Sequence, residues 1–396
     1  MLDEDLTTTG VAVGGDAIAR DSSGRVVFVS GALPGETVRV EVTESRRDFA
    51  RARLVAVLSP SPSPDRVAPP CVEVARGCGG CPWQGVHPAA QQRLKRQMVV
   101  ESLQRIGRIA EPPVAEVVRS VGDRAYRTTV RAAVSDGRAA YRMHHSHSLV
   151  AVEGCVVAHP LVEEVLQVGR FGDASEVVVR ASVATGERVV VPRPDEASGI
   201  SVPAGVVVGR RAAVTEVVAG RRWRVSGTSF FQSGPQAASL LVDAVCQAAG
   251  DALVHGGVVV DAYAGVGLLG GSLAGRRDDV RVVAVESSGP AVRDAVANLA
   301  DLDASVVRGD VNRWIPEQAD LVVADPARAG LGRRAVRVLA ATGAPVVVLV
   351  ACDAASLARD AGLLAEAGYA LVGVEVLDLF PHTVHVEAVA RFERVS

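Results

Sequence analysis

A chain of 396 residues is too long for one ordinary core and points to roughly two or three domains. Its 48 % hydrophobic content is ample for folding, yet no run reaches the ~18 apolar residues of a membrane span. The net charge of −3 excludes a global basic field, so any nucleic-acid surface has to be local. The opening Met1-Leu2-Asp3-Glu4-Asp5 is unlike a signal peptide, and the expected setting is cytoplasmic. Lys95 is the single lysine among 42 basic residues. Six cysteines in such a chain argue for metal binding or catalysis rather than disulfides.

Residues 7–58 read as short strands (10–13, 25–29, 36–42 and 52–58) separated by the turns Ser22-Ser23-Gly24 and Leu33-Pro34-Gly35. Strands this short and close predict a small OB-like β-barrel over residues 1–58. Within it, Arg46-Arg47-Asp48-Phe49-Ala50-Arg51-Ala52-Arg53 offers four arginines and an aromatic, which suits either an RNA-backbone contact or a solvated hairpin face. The pattern G-A-L-P-G-E-x-V at 31–38 resembles the TRAM domain, an RNA-binding add-on module. The repeat Ser59-Pro60-Ser61-Pro62-Ser63-Pro64 opens a linker, stiffened by proline.

The linker and a cysteine-rich loop together span 59–85. Cys71, Cys78 and Cys81 form a C-x6-C-x2-C arrangement, with Cys155 far downstream. Three thiolates can wrap one corner of a metal centre and the fourth can close it from another loop, which suits a [4Fe–4S] cluster or structural zinc. Zinc sites more often carry two C-x-x-C knuckles, and one is present here, so the cluster is preferred. Cys246 lies in an apolar helical run and reads as core. Residues 87–107 predict an amphipathic helix bearing Arg93, Lys95, Arg96 and Arg105, read as a solvated basic face or an RNA contact. Alternating segments from 124 to 230 predict a mainly β central domain over 86–232. His144, His145 and His147 form a loop without a partner at ligand spacing.

From 233 to 396 the period changes to strand–helix alternation, the pattern of a mostly parallel sheet with an antiparallel closing pair (369–377 and 384–393). The stretch Gly256–Gly270, GGVVVDAYAGVGLLG, is a strand, a tight turn and a helix start, as at the ligand edge of a doubly wound sheet. Its spacing is not G-x-G-x-x-G. The D-x-x-x-G-x-G turn instead resembles the S-adenosylmethionine (SAM) turn of class I methyltransferases, with a nucleotide site or a plain structural turn as alternatives. Polar residues collect where strands end: Glu286, Asp310, Asp325 and Cys352. An acid such as Glu286 can accept two ribose hydroxyls, and Asp310 can reach an adenine amino group. Cys352 precedes a helix whose amino end would favour thiolate, with an inert cysteine packed as a small hydrophobe as the alternative.

The set Ser229-Phe230-Phe231-Gln232, Asp261-Ala262-Tyr263-Ala264-Gly265-Val266-Gly267, Asp325-Pro326-Ala327-Arg328-Ala329-Gly330, Ala351-Cys352-Asp353 and Phe380 to Glu387 (FPHTVHVE) resembles the SAM-dependent uracil-C5 RNA methyltransferases, which make 5-methyluridine in tRNA and 23S rRNA. The likeness spans essentially the whole chain. It implies a multidomain protein: a TRAM barrel, a central β RNA-binding domain, and a Rossmann-like methyltransferase domain with a seven-stranded sheet. By resemblance Cys352 is the nucleophile and Glu387 the general base. Asp325 would orient the uracil, and Gln232, Tyr263, Gly265, Gly267, Glu286 and Asp310, with Asp325, would surround SAM. Cys71, Cys78, Cys81 and Cys155 resemble the [4Fe–4S] ligands of the family's iron–sulfur branch. Tyr126 and Arg127 would face RNA. That branch favours 23S rRNA over tRNA as substrate, and a monomer without membrane contact is the default. The sequence departs from the usual S-C-N-P at Ala351-Cys352-Asp353-Ala354.

Overall fold

The computed structural model describes residues 5–58, 63–144, 146–151 and 153–395. The first residues of the acidic amino terminus, most of the Ser-Pro repeat (59–62) and His145 lie outside the described residues.

Five strands, Asp5–Val11, Ala17–Arg20, Val26–Ser30, Thr37–Ser45 and Phe49–Val57, close into a barrel. Period-two alternation turns Leu6, Ala17, Ala19, Val27, Val29, Val38, Val40, Ala50 and Ala52 inward, and these small apolar side chains fill a narrow interior. Glu36, fully buried, takes a two-pronged salt bridge from Arg66, 2.7 Å to each carboxylate oxygen, which pins the end of the linker to the barrel.

The expected central β region divides into three parts. A six-stranded sheet runs from Val206–Val208 through Arg188–Arg193, Glu176–Ala181, Thr129–Ser135 and Arg138–Arg142 to Leu149–Ala151. The helix Pro160–Val168, which the sequence reading missed, covers it through Val162, Val165 and Leu166. The hairpin Ala213–Val218 and Arg221–Ser226 instead packs on the methyltransferase layer: Trp223 is wholly buried there, and Asn298 bonds the Arg224 backbone on both sides. The helix Pro88–Arg105 likewise leaves the central sheet. On its apolar face Val99 and Leu103 pack with the helix Ala354–Glu366 and the strand Tyr369–Asp378, whereas Leu94 and Met98 pack with Val11, Leu33, Trp83 and Val86. Lys95, expected on a solvated basic face, is on that buried side.

The C-terminal sheet has strand order Ala304–Arg308, Val280–Glu286, Gly257–Ala262, Leu321–Ala324, Val346–Ala351, Glu387–Arg394, Tyr369–Asp378, and then Arg119–Ser120. The first five strands are parallel and the pair of Glu387–Arg394 with Val346–Ala351 is antiparallel. The seven expected strands are all present. The eighth is two residues long, lent by the segment that crosses from the helix to the central sheet, and too short to leave a periodic signal. Apolar residues on both faces of the five parallel strands follow from helices covering each side.

Candidate active site

The glycine turn follows the strand Gly257–Ala262. Tyr263, Gly265 and Gly267 all adopt positive φ (62°, 56° and 85°), and Gly267 caps the helix Leu268–Ala274 from the left-handed region. A Cβ on Gly267 would sit 3.0 Å from the Leu299 side chain, so conformation and space both call for glycine. Asp261 is buried beneath the turn. One of its oxygens accepts from Gly270 N–H at 2.8 Å and the other has no partner; burial pushes its pKa up to about 7.

Glu286, at the end of the neighbouring strand, accepts from Gly265 N–H at 2.9 Å and Ser288 N–H at 2.6 Å. These bonds draw the turn and the second strand end together. Asp310 holds the short 3-10 turn Val311–Arg313 through Asn312, and these bonds keep its carboxyl below the usual range. It borders an open groove with Trp314 and Ile315, the latter 86 % exposed. Gln232 arrives from outside the sheet, ahead of the helix Pro235–Ala249; it is buried, and its amide oxygen has no protein partner. Ser229 fixes that approach, bonding Asp294 at 2.6 Å while its carbonyl accepts from buried Arg180 at 2.7 Å. Buried polar atoms left without partners along one edge mark where a polar ligand belongs.

Cys352 and Glu387 meet through strand register. Ala351 pairs with Ala388, so the residue after one strand stands beside the residue that begins its neighbour. Glu387 is 3 % exposed, and burial together with the nearby Asp325 raises its pKa well above the ordinary carboxylate value. Burial, with Asp261 close by, pushes Asp325 up to about 7. The half-buried Cys352 thiol is pushed up to about 11, first by burial and then by Glu387 and Asp325, with Arg328 pulling it back. Burial and two neighbouring carboxyl groups thus oppose the pull toward thiolate expected of the helix start. Asp353 caps the helix, accepting from Ser356 N–H at 2.7 Å.

The loop 379–386 between the last two strands carries the chain to Glu387. His385 contacts the Arg328 guanidinium through Nδ1 at 2.9 Å and lies edge-on to Phe380. Burial and the neighbouring cations bring its pKa down to about 4, so it accepts this bond as neutral imidazole. Tyr126 donates to Pro381 O at 2.9 Å, and the Arg127 guanidinium lies over the Tyr126 and Phe380 rings. These two residues thus brace the loop from behind.

Cys71, Cys78, Cys81 and Cys155 line one cavity of about 200 Å³, together with Arg127 and Tyr141. The loop is stitched to the central sheet by Gly79 N–H to Arg142 O (3.0 Å), and a Cβ on Gly79 would fall 2.7 Å from the His144 backbone. Burial drives the Cys81 thiol up to about 11 and raises Cys78 as well. Arg127 Nε and the Tyr141 hydroxyl, both buried on the cavity wall, lack partners. Among the described residues no three His, Cys, Asp or Glu side chains converge on a single ion position. Cys246 packs against the main core as expected, and His147 is exposed.

A barrel joined to a strand–turn–helix sheet with an open ligand edge defines a SAM-dependent methyltransferase carrying a TRAM module. The family models agree: the TRAM domain matches residues 5–55 and the methyltransferase small domain 234–343. An uncharacterized RNA methyltransferase of Streptomyces coelicolor is 39 % identical, over 97 % of this chain and 91 % of its own length. The 23S rRNA (uracil(1939)-C(5))-methyltransferase RlmD of Halomonas elongata is 33 % identical, over 98 % of this chain and 89 % of its own. The tRNA (uracil-54, C5)-methyltransferase of Pyrococcus abyssi, solved with S-adenosyl-L-homocysteine, shares the fold (TM-score 0.74, 24 % identity, covering 98 % of this chain and 100 % of its own). The chain belongs to the RNA uracil-C5 methyltransferase family and is a SAM-dependent RNA methyltransferase. No helix among the described residues is long and apolar enough to cross a membrane.

Proposed function

We propose that the protein makes 5-methyluridine in RNA, with 23S rRNA preferred to tRNA, through a covalent cysteine–uracil adduct. The observation that carries this reading is the cross-strand pairing that sets Cys352 beside buried Glu387, with Asp325 close enough to perturb both. Uracil C5 is a weak nucleophile. Addition of the Cys352 sulfur to C6 shifts the ring electrons toward C5 and O4, and C5 then attacks the SAM methyl, releasing S-adenosyl-L-homocysteine. Glu387 removes the C5 proton; the electron pair reforms the C5–C6 double bond and expels the thiolate. Asp325, whose pKa burial raises, is suited to hydrogen-bond the uracil edge once the base is flipped out. Arg328 is the nearby cation that favours thiolate.

Gln232, Tyr263, Gly265, Gly267, Glu286 and Asp310 bind SAM in this reading. Support comes from the partnerless Gln232 oxygen, the glycine approach, and acids standing at successive strand ends. The barrel and the central sheet supply RNA contacts; Arg51 over Phe28 and Phe49 is one cationic, aromatic surface.

Cys71, Cys78, Cys81 and Cys155 would hold a [4Fe–4S] cluster. Four thiols lining one shared cavity suit a polynuclear cluster. The unpartnered Arg127 Nε and Tyr141 hydroxyl are donors suited to its negative charge. When bound, the cluster supplies a cross-link between the cysteine loop and the central domain.

The test is incubation with SAM and rRNA containing 5-fluorouridine, in which the C5 substituent cannot be removed as a proton. A denaturation-resistant protein–RNA adduct is expected, and Cys352→Ala should abolish it. Methyl transfer by the wild-type protein without any adduct would refute the covalent route.

A further inference from the structure

The chain contains a single lysine, and it is 0 % exposed. Arginine supplies every other fixed cation, on surfaces and in exposed salt bridges alike, so this one position selects a different chemistry. A lysine ammonium is a compact charge with three donors, able to enter a space too small for a planar guanidinium. Lys95 Nζ donates to Asp378 Oδ1 at 2.5 Å and to Phe380 O at 3.1 Å. Asp378 ends the strand Tyr369–Asp378 one residue beyond Leu377, the cross-strand partner of Glu387. Both contacts therefore fall at the root of the loop 379–386, level with the proposed base.

The same helix holds the loop at a second point. One turn earlier, Gln91 accepts from His382 N–H at 2.6 Å and donates to Trp83 O and Val86 O. Trp83 N–H, just after Cys81, donates to His382 O at 2.9 Å. Apart from its own turn bond from Thr383 to Phe380 O, the loop's carbonyl and amide partners at 380–382 come from outside the methyltransferase domain. Cys352, in contrast, is placed by the adjoining parallel strand and by the helix that Asp353 caps.

We propose that Lys95 is a positioning residue for Glu387: by anchoring Asp378 and the Phe380 carbonyl, it fixes the carboxylate that removes the C5 proton while leaving the thiol's placement untouched. The proposal rests on the reading of Glu387 as the base. It predicts a selective defect. Adduct formation precedes proton removal, so a displaced base lets the adduct form and delays its resolution.

The experiment uses the full-length protein and RNA carrying tritium at uracil C5. SAM binding is measured by calorimetry, adduct by denaturing gel, and proton removal by tritium release. Lys95→Met should keep SAM affinity within about twofold, form adduct at close to the wild-type rate, and release tritium at least tenfold more slowly, so that adduct accumulates. Equal slowing of adduct formation and tritium release would overturn the proposal, as would unchanged release. Should Lys95→Met fail to fold, Gln91→Leu cuts the second anchor while keeping the ion pair, and the same split is expected of it. Absence of a trapped adduct between the wild-type protein and 5-fluorouridine RNA would refute the covalent reading itself, an outcome separate from either result for the variants.

Discussion

On the cofactor side of the cleft, most polar groups sit where a parallel strand ends, and their bonds stay close by. Glu286 serves the turn on the next strand and its own successor residues, and Asp310 bonds a side chain two residues away. On the other side, the loop leading to Glu387 is held by Lys95, Gln91, Trp83 and Tyr126, which lie more than 250 residues earlier in the chain. Doubly wound topology by itself generates the first side, because strand ends and helix starts recur along one edge. The second exists because other domains press on the sheet. In the proposed reaction, binding of the methyl donor would rest on the methyltransferase domain and proton removal on contacts from the whole molecule.

The largest effect that would separate the two sides is expected from Glu387→Gln. Turnover should fall by a factor on the order of 10³, adduct should accumulate, and SAM affinity should be preserved. Relative to wild type, the same variant should gain stability as pH rises, because the wild type loses it. Burial makes the folded protein hold the Glu387 proton more tightly than the unfolded chain does, so ionisation above the ordinary carboxylate range works against folding. The glutamine escapes this, and its thermal midpoint should exceed wild type at pH 8 and match it near pH 4. Equal midpoints at both values would remove the argument from burial.

Next in size is Glu286→Ala. It removes a charge-assisted acceptor worth about 2–3 kcal/mol, so SAM affinity measured by calorimetry should fall on the order of 100-fold. Preformed adduct, chased with unlabelled RNA, should still release tritium at the wild-type rate. Loss of both would show that the two sides are not separable. The smallest shift is expected for Arg328→Ala. This guanidinium pulls the Cys352 pKa down against burial and two carboxyl groups, so its loss raises the thiol further. The pH profile of adduct formation should move to higher pH, with a several-fold lower rate at pH 8 and recovery on the alkaline side.

The cofactor side was largely legible in the sequence. Apolar runs ending in Asp261, Glu286, Asp310 and Asp325 announce strand ends, and the structure sets those strands side by side. Cys352 and Glu387 could be nominated from motifs, although their adjacency depends on the antiparallel register of two strands, which spacing does not disclose. Lys95 was misread because arginines surround it in the sequence and its partner is 283 residues away. A helix start beside Cys352 is visible in a sequence, but the two carboxyl groups that raise the thiol's pKa come from other strands and are not. The helix Pro160–Val168 was overlooked because only three of its residues are buried, too few for a periodic stripe.

The two-residue strand Arg119–Ser120 also bears on how the molecule behaves among its copies. Without it, Tyr369–Asp378 would be the outermost strand and present a row of free amides and carbonyls to any other chain. The crossing segment fills that row at Leu377 and Asp378, and again at Val374, where backbone bonds run to Pro113 and Ala115. Arg119, ion-paired with Glu375, adds charge along the same rim. A length of chain whose evident task is to connect two domains thereby also guards the sheet against zipping onto its neighbours.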